Sequence, residues 1–166
     1  MRRLLPVLAI SLLMLTGCDK FEDEAKGPEP VPQEDALWRS YGKMPDFETL
    51  VDINSIKHDA GYAEQNYTFV WMVQRFKDDQ IDGTSKAKYR NKYLRHAIDC
   101  PSGRMAGISV SMNDSDDIEV ARYEVPGFQW EFGKPQPGTF GDDYVKQICK
   151  IMAGKDAADK DAQSEE

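Results

Sequence analysis

Tyr93-Leu94-Arg95-His96-Ala97-Ile98-Asp99-Cys100 is the stretch whose reading decides the fold. Side chains alternate across a strand, so Leu94, His96, Ile98 and Cys100 share one face. That face is mostly apolar and carries a thiol, which places it against another element of the core. Cys149 sits among Tyr144, Val145, Ile148 and Met152, apolar residues at helical spacing. Strand and helix are thus expected to meet with a cysteine on each.

Around this strand the chain reads as an antiparallel meander. Asn66 to Phe76 (NYTFVWMVQRF) is rich in β-branched and aromatic residues, with two largely apolar faces, as a central strand requires. Lys77 to Lys88 contains Asp82-Gly83 and reads as a mobile hairpin loop. Pro101-Ser102-Gly103 is a tight turn, Arg104 to Met112 a returning strand, Asn113 to Asp117 (NDSDD) another turn, and Ile118 to Val125 a further strand. Such short connections join antiparallel neighbours. Thr49 to Ile53 is a short strand followed by a turn at Asn54-Ser55-Ile56. Leu37, Trp38, Tyr41, Met44 and Phe47 form an aromatic leading segment without a clear period, and Trp130-Glu131-Phe132 is a last short strand or a packing loop.

Thr139 to Asp142 (TFGD) is a capping-box pattern that opens the helix, and Gly154 is the expected stop. About three turns of helix are marginal alone and need the sheet. The expected fold is therefore α+β: an antiparallel β-sheet of about five or six strands with a C-terminal α-helix packed on one face.

Before this domain comes a different kind of sequence. Arg2 and Arg3 precede an apolar run, Leu4 to Leu15, which ends in Leu15-Thr16-Gly17-Cys18. That is secretory signal architecture, and a thiol after a small residue at the cut site resembles a bacterial lipobox. The resemblance implies cleavage after Gly17 and diacylation of Cys18. Residues 1–17 are then a lipoprotein signal peptide, and the partner at Cys18 is a membrane. Asp19 resembles an inner-membrane retention signal, although Lys20 follows it. Residues 18–35 are the lipidated cysteine and a tether with Pro28, Pro30, Pro32 and six acids in KFEDEAKGPEPVPQED. Such composition does not offset ordering entropy. At about 3 Å per residue it spans a few nanometres. The folded domain is assigned to 36–154, and 155–166 (KDAADKDAQSEE) to a disordered polar tail or frayed helix.

The full chain of 166 residues has a formal net charge of −8, and loss of Arg2 and Arg3 makes it more acidic still. Non-specific binding of nucleic acid or anionic headgroups is excluded by that balance. With Cys18 lipidated, Cys100 and Cys149 remain as an even pair in an oxidising compartment. A bridge between them would contribute about 4 kcal/mol on the chain-entropy account and tether helix to sheet. The alternatives are two free thiols or a metal site, though no second pair of ligands lies near either cysteine.

The order of these features resembles the surface-adhesin protein E family of small bacterial lipoproteins over roughly residues 37–152. The residues that carry it are the lipobox, the polar linker, Val51-Asp52-Ile53-Asn54-Ser55-Ile56-Lys57, the Trp71 strand, Ile98-Asp99-Cys100, Trp130 before Pro137-Gly138-Thr139, and Ile148-Cys149-Lys150. Another group of small periplasmic lipoproteins, the CNP1-like family, shares the two-cysteine layout. The resemblance implies a sheet of about six strands with a C-terminal helix disulfide-bonded onto it. The founding member of the adhesin family binds host matrix and plasma proteins, but its binding stretches have no matching motif here.

Few residues suggest chemistry. His58 and His96 are the only histidines, and His96 falls on the core-facing side of its strand. No Ser-His-Asp order, nucleophile elbow, H-E-x-x-H, phosphate loop or dinucleotide fingerprint is present. The expectation is no catalytic residue, no cofactor and no metal; NDSDD lacks the Gly and distal Glu of a calcium loop and reads as a hydrophilic turn. Lys86, Lys88, Arg90 and Lys92 form a charged stripe on one strand face. Its plain reading is protection of an exposed strand from edge pairing, and its sharper reading is a site for an anionic partner. Two functional classes follow. One is a non-enzymatic, lipid-anchored binding module of the bacterial envelope, on the periplasmic face or the outer-membrane surface, with a protein or glycan partner. The other is a periplasmic accessory or assembly lipoprotein that binds another envelope protein. An exposed edge strand would also make a homodimer easy.

Overall fold

The computed structural model describes residues 31–32, 35–61 and 65–164. The expected signal peptide, Cys18 and most of the expected tether lie outside the described residues. Among the described residues seven strands form one antiparallel sheet: β1 (Trp38–Lys43), β2 (Phe47–Asp52), β3 (Lys57–Ala60), β4 (Asn66–Ile81), β5 (Lys88–Asp99), β6 (Arg104–Asn113) and β7 (Glu119–Glu124). Their order is β1-β2-β4-β5-β6-β7, with β3 also paired to β4. One α-helix, α1 (Phe140–Ser164), follows. The expected α+β sheet-and-helix fold is what the chain adopts.

β4 is the spine. One of its edges pairs with β5 along its length, and the other carries β2 and β3 in succession. Between Val51↔Met72 and Lys57↔Phe69 the register slips, and the turn at residues 53–56 fills the gap. Asp52 organises that turn by accepting from the backbone N–H groups of Leu37 (2.8 Å) and Asn54 (3.0 Å). Neither β1 nor β3 is legible as a strand in the sequence. β1 has no clean alternation and carries a register shift between Ser40 and Gly42, and all four residues of β3 are exposed.

The two faces of the sheet bury different clusters. Val51, Ile56, Val70, Met72 and Ile98 pack against Tyr144, Val145, Ile148 and Met152 of α1. Leu94 and Cys100 join this cluster, and buried His96 meets Tyr144 edge to face, so the face expected to meet the helix does so. Cys100 and Cys149 are disulfide-bonded. The opposite face holds Leu50, Trp71, Val73 and Tyr93 under Val31 and Trp38, and then Phe69, Ala97, Ala106 and Ile108 under Tyr67, Trp130 and Phe132. Val31, within the segment expected to be a tether, is buried against the apolar Trp71–Tyr93 surface.

The helix is also longer than its sequence pattern. Thr139 Oγ1 accepts from Asp142 N, and Asp142 Oδ2 accepts from Gly138 N, so the cap falls where expected. Gly154 does not end it. A helical glycine costs about 1 kcal/mol against alanine, and the next turn offsets this through tertiary contacts. Lys155 Nζ donates to the carbonyls of Ile53 (2.9 Å) and Ile56 (2.8 Å), and Asp156 pairs with His58 at 3.2 Å. The helix therefore crosses the segment that reads as a polar tail.

Candidate binding surface

The cationic stripe is rearranged by the fold. Lys86 lies in the β4–β5 turn with φ of +62°, off the strand, and its ammonium is tied back to Gly83 O. Lys88, Arg90 and Lys92 are on β5, where Arg90 donates to Asp79 at 2.6 and 3.1 Å. β5 pairs with β4 on one side and β6 on the other. Pairing with β6 begins only at Asn91, so Lys92 lies between two paired strands, while Lys88 and Arg90 sit on the part of β5 that extends past β6, where protection of an exposed edge still applies.

The β4–β5 loop is also shorter and more ordered than its composition suggests. Asp82 accepts from Ser85 N and Oγ, each at 2.7 Å, and from the Tyr123 hydroxyl at 2.6 Å, which fastens the hairpin to β7. The Tyr123 hydrogen bond, with those from Ser85, holds the Asp82 carboxyl down to about 2. In the NDSDD turn, Asp114 Oδ1 accepts from the N–H groups of Asp116 and Ile118, both at 2.9 Å. Asp117 accepts from Asn91 and from the Tyr93 hydroxyl, and burial together with that bond raises the Tyr93 phenol. Asp114 thus holds the turn together, and Asp117 fastens it to β5.

A concavity lies where β7 leaves β6. Val125 N still donates to Ile108 O at 2.9 Å, and Gly133 returns to exchange two backbone bonds with Met105 at 2.9 and 3.0 Å. Between them Pro126 turns the chain outward into a 3-10 turn, Gly127–Gln129, and the Trp130 indole N–H donates to Val125 O at 2.8 Å. The open groove between them is about 640 Å³ and is lined by Gly107, Val125, Phe128, Gln129, Trp130 and Glu131. A β-bulge in β6 sets its floor, since the register against β5 skips Ile108. The space above Gly107 is open: a Cβ there would meet nothing within 4 Å.

One wall of the groove is rigid and aromatic. Trp130 lies edge-on to Tyr67 and Phe69, and Tyr67 stacks on Phe132 with centroids 4.7 Å apart. The Arg95 guanidinium covers the Phe69 ring at 4.9 Å. Phe128, by contrast, is 67% exposed. Aromatic faces beside the amide of Gln129 and the carboxylate of Glu131 suit recognition of a partner with an apolar surface and hydroxyl or N–H groups. The lining contains no nucleophile with an adjacent base.

In sequence Trp130-Glu131-Phe132 is ambiguous between strand and packing loop, and neither Phe128 nor Gly107 stands out. The usable signal is Pro126-Gly127 followed by three aromatics in five residues, Phe128 to Phe132. Among the described residues no helix is long and apolar enough to cross a membrane. The family model for surface-adhesin protein E matches residues 38–150. No curated protein and no solved structure shows significant similarity to the chain.

Proposed function

The chain belongs to the surface-adhesin protein E family and is an adhesin-like protein of the cell surface or envelope, and from that premise we propose that it is a lipid-anchored, non-enzymatic binding module. Cys18 carries the anchor, the Pro/acidic segment holds the domain off the bilayer, and the Phe128–Trp130 groove receives a protein or glycan partner. The observation that carries this reading is the exposure of Phe128 at the mouth of a groove whose Trp130 wall is fixed by packing. A large exposed aromatic beside a preorganised one is the composition of a binding hot spot.

Protease treatment of intact cells, followed by blotting of membrane fractions, is the primary test. Loss of the domain supports outward display, and full protection overturns the adhesin reading in favour of an envelope partner. Gly107→Trp fills the groove without a clash at Cβ. It should abolish adherence of displaying cells to matrix-coated surfaces while leaving the melting temperature unchanged. Unchanged adherence would remove the groove from the proposal. Cys18→Ser should release the protein from membranes.

A further inference from the structure

Four elements converge on one sulfur of the disulfide. β3 pairs with β4 so that His58 lies opposite Thr68, and β4 pairs with β5 so that Thr68 lies opposite Ile98, two residues before Cys100. α1 adds Asp156 from the outside. The result is a continuous chain: Asp156 Oδ2 to His58 Nε2 at 3.2 Å, His58 Nδ1 to Thr68 Oγ1 at 3.3 Å, and Thr68 Oγ1 to Cys100 Sγ at 3.5 Å. Its outer end is wet, because the His58 side chain is 46% exposed. Its inner end is dry, because Thr68 is only 1% exposed.

Carboxylate, imidazole and hydroxyl in this order resemble a nucleophile-activating triad. Thr68 is nonetheless sealed from any external substrate and faces a sulfur. The group that the chain can serve is Cys100. No hydroxyl among the described residues stands in the same relation to Cys149, so the two halves of the bridge are chemically unequal.

We propose that Cys149 is a thiol-exchange site, at which a low-molecular-weight thiolate opens the bridge in one direction with Cys100 as the leaving group. The incoming thiolate forms a bond to Cys149 Sγ, and the Cys100–Cys149 bond breaks with its electron pair passing to Cys100. Thr68 Oγ1–H donates to the new thiolate, and His58, whose Nε2 faces Asp156, orients that hydroxyl from Nδ1. The products are a mixed disulfide on Cys149 and a thiolate on Cys100. Closure is the reverse: Cys100 attacks Cys149 Sγ and expels the small thiol, so no separate oxidant or reductant enters. Direction follows because a better-stabilised thiolate leaves faster. The consequence is a strap between helix and sheet that a small thiol releases at one defined sulfur.

Exposing the oxidised, full mature chain to reduced glutathione tests this. Reactions are quenched in acid at short times, free thiols are capped with iodoacetamide, and Cys100 and Cys149 are mapped by mass spectrometry. Glutathione on Cys149 with carbamidomethyl on Cys100 should exceed the opposite pattern about tenfold, the ratio that one ordinary hydrogen bond supports. Thr68→Val, which keeps shape and removes the hydroxyl, and His58→Gln should each bring the ratio close to one. His58 is exposed, so its variant remains informative even where Thr68→Val fails to fold. Adducts mainly on Cys100, an even distribution in the wild type, or a bias untouched in both variants would overturn the proposal.

Discussion

The backbone N–H of Trp71 donates to the side-chain oxygen of Ser55 at 2.8 Å, at the point where β2 has ended and β3 has not begun. Ser55 Oγ donates in turn to Asp52 O at 2.8 Å. A side chain thus stands in for a missing strand partner along the edge of β4. The D-x-x-S-I segment, which carries part of the family resemblance, has a structural role in which Asp52 shapes the turn, Ser55 satisfies Trp71, and Ile56 enters the core.

Ser55→Ala should therefore destabilise the domain by about 1–3 kcal/mol, the cost of leaving a buried backbone donor unpaired. Urea unfolding measures it, as a lower midpoint with an unchanged slope. A midpoint equal to wild type would mean that water or a shifted turn replaces the hydroxyl.

His96 makes stability depend on pH. Burial between β5 and α1 depresses its imidazole to about 4, whereas an unfolded histidine titrates near about 6.5. Between those values the unfolded chain takes up a proton that the folded chain refuses. Stability is therefore full above about pH 6.5 and falls progressively towards about pH 4, by a few kcal/mol in all. Urea midpoints at pH 7.5, 6 and 5 should decline for wild type and decline less for His96→Leu. Parallel curves would remove His96 as the cause.

Tyr123→Phe should release the clasp on the hairpin. The Asp82 carboxyl, held at about 2 chiefly by the Tyr123 hydroxyl, should rise towards the ordinary aspartate value near about 3.9. Carboxyl-carbon NMR titration reads this directly, and amide exchange in the Asp82–Ala87 turn should accelerate. An unmoved titration would assign the depression to Ser85 alone.

Lys155→Met should fray α1 back towards Gly154 by leaving the Ile53 and Ile56 carbonyls without their ammonium partner. The expected loss is on the order of 1–3 kcal/mol, for hydrogen bonds to a charged donor. Circular dichroism should report lost helix, and amides beyond residue 154 should lose protection first. Unchanged ellipticity and melting temperature would mean that the last turns stand on local propensity.

Much of the fold is legible in sequence because its elements carry strong local periodicity. The two-sided apolar run of Asn66 to Phe76, the alternation through Cys100 and the helical spacing around Cys149 each name a partner surface, since burying those faces dominates the energetics. Cysteine parity and the helix cap are local signals of the same kind. The outcome differs where a long-range contact overrides a local one. Gly154 reads as a stop until Lys155 reaches Ile53 and Ile56, β3 reads as nothing until β4 offers its edge, and Lys86 leaves the stripe through a turn that Asp82 closes. The groove and the His58–Thr68–Cys100 chain exist only in three dimensions. Gly107 and Phe128 lie 21 residues apart, and His58 and Asp156 lie 98 apart. Periodicity determined which faces must be buried; strand register and one β-bulge decided which side chains meet, because pairing geometry depends on the whole sheet at once.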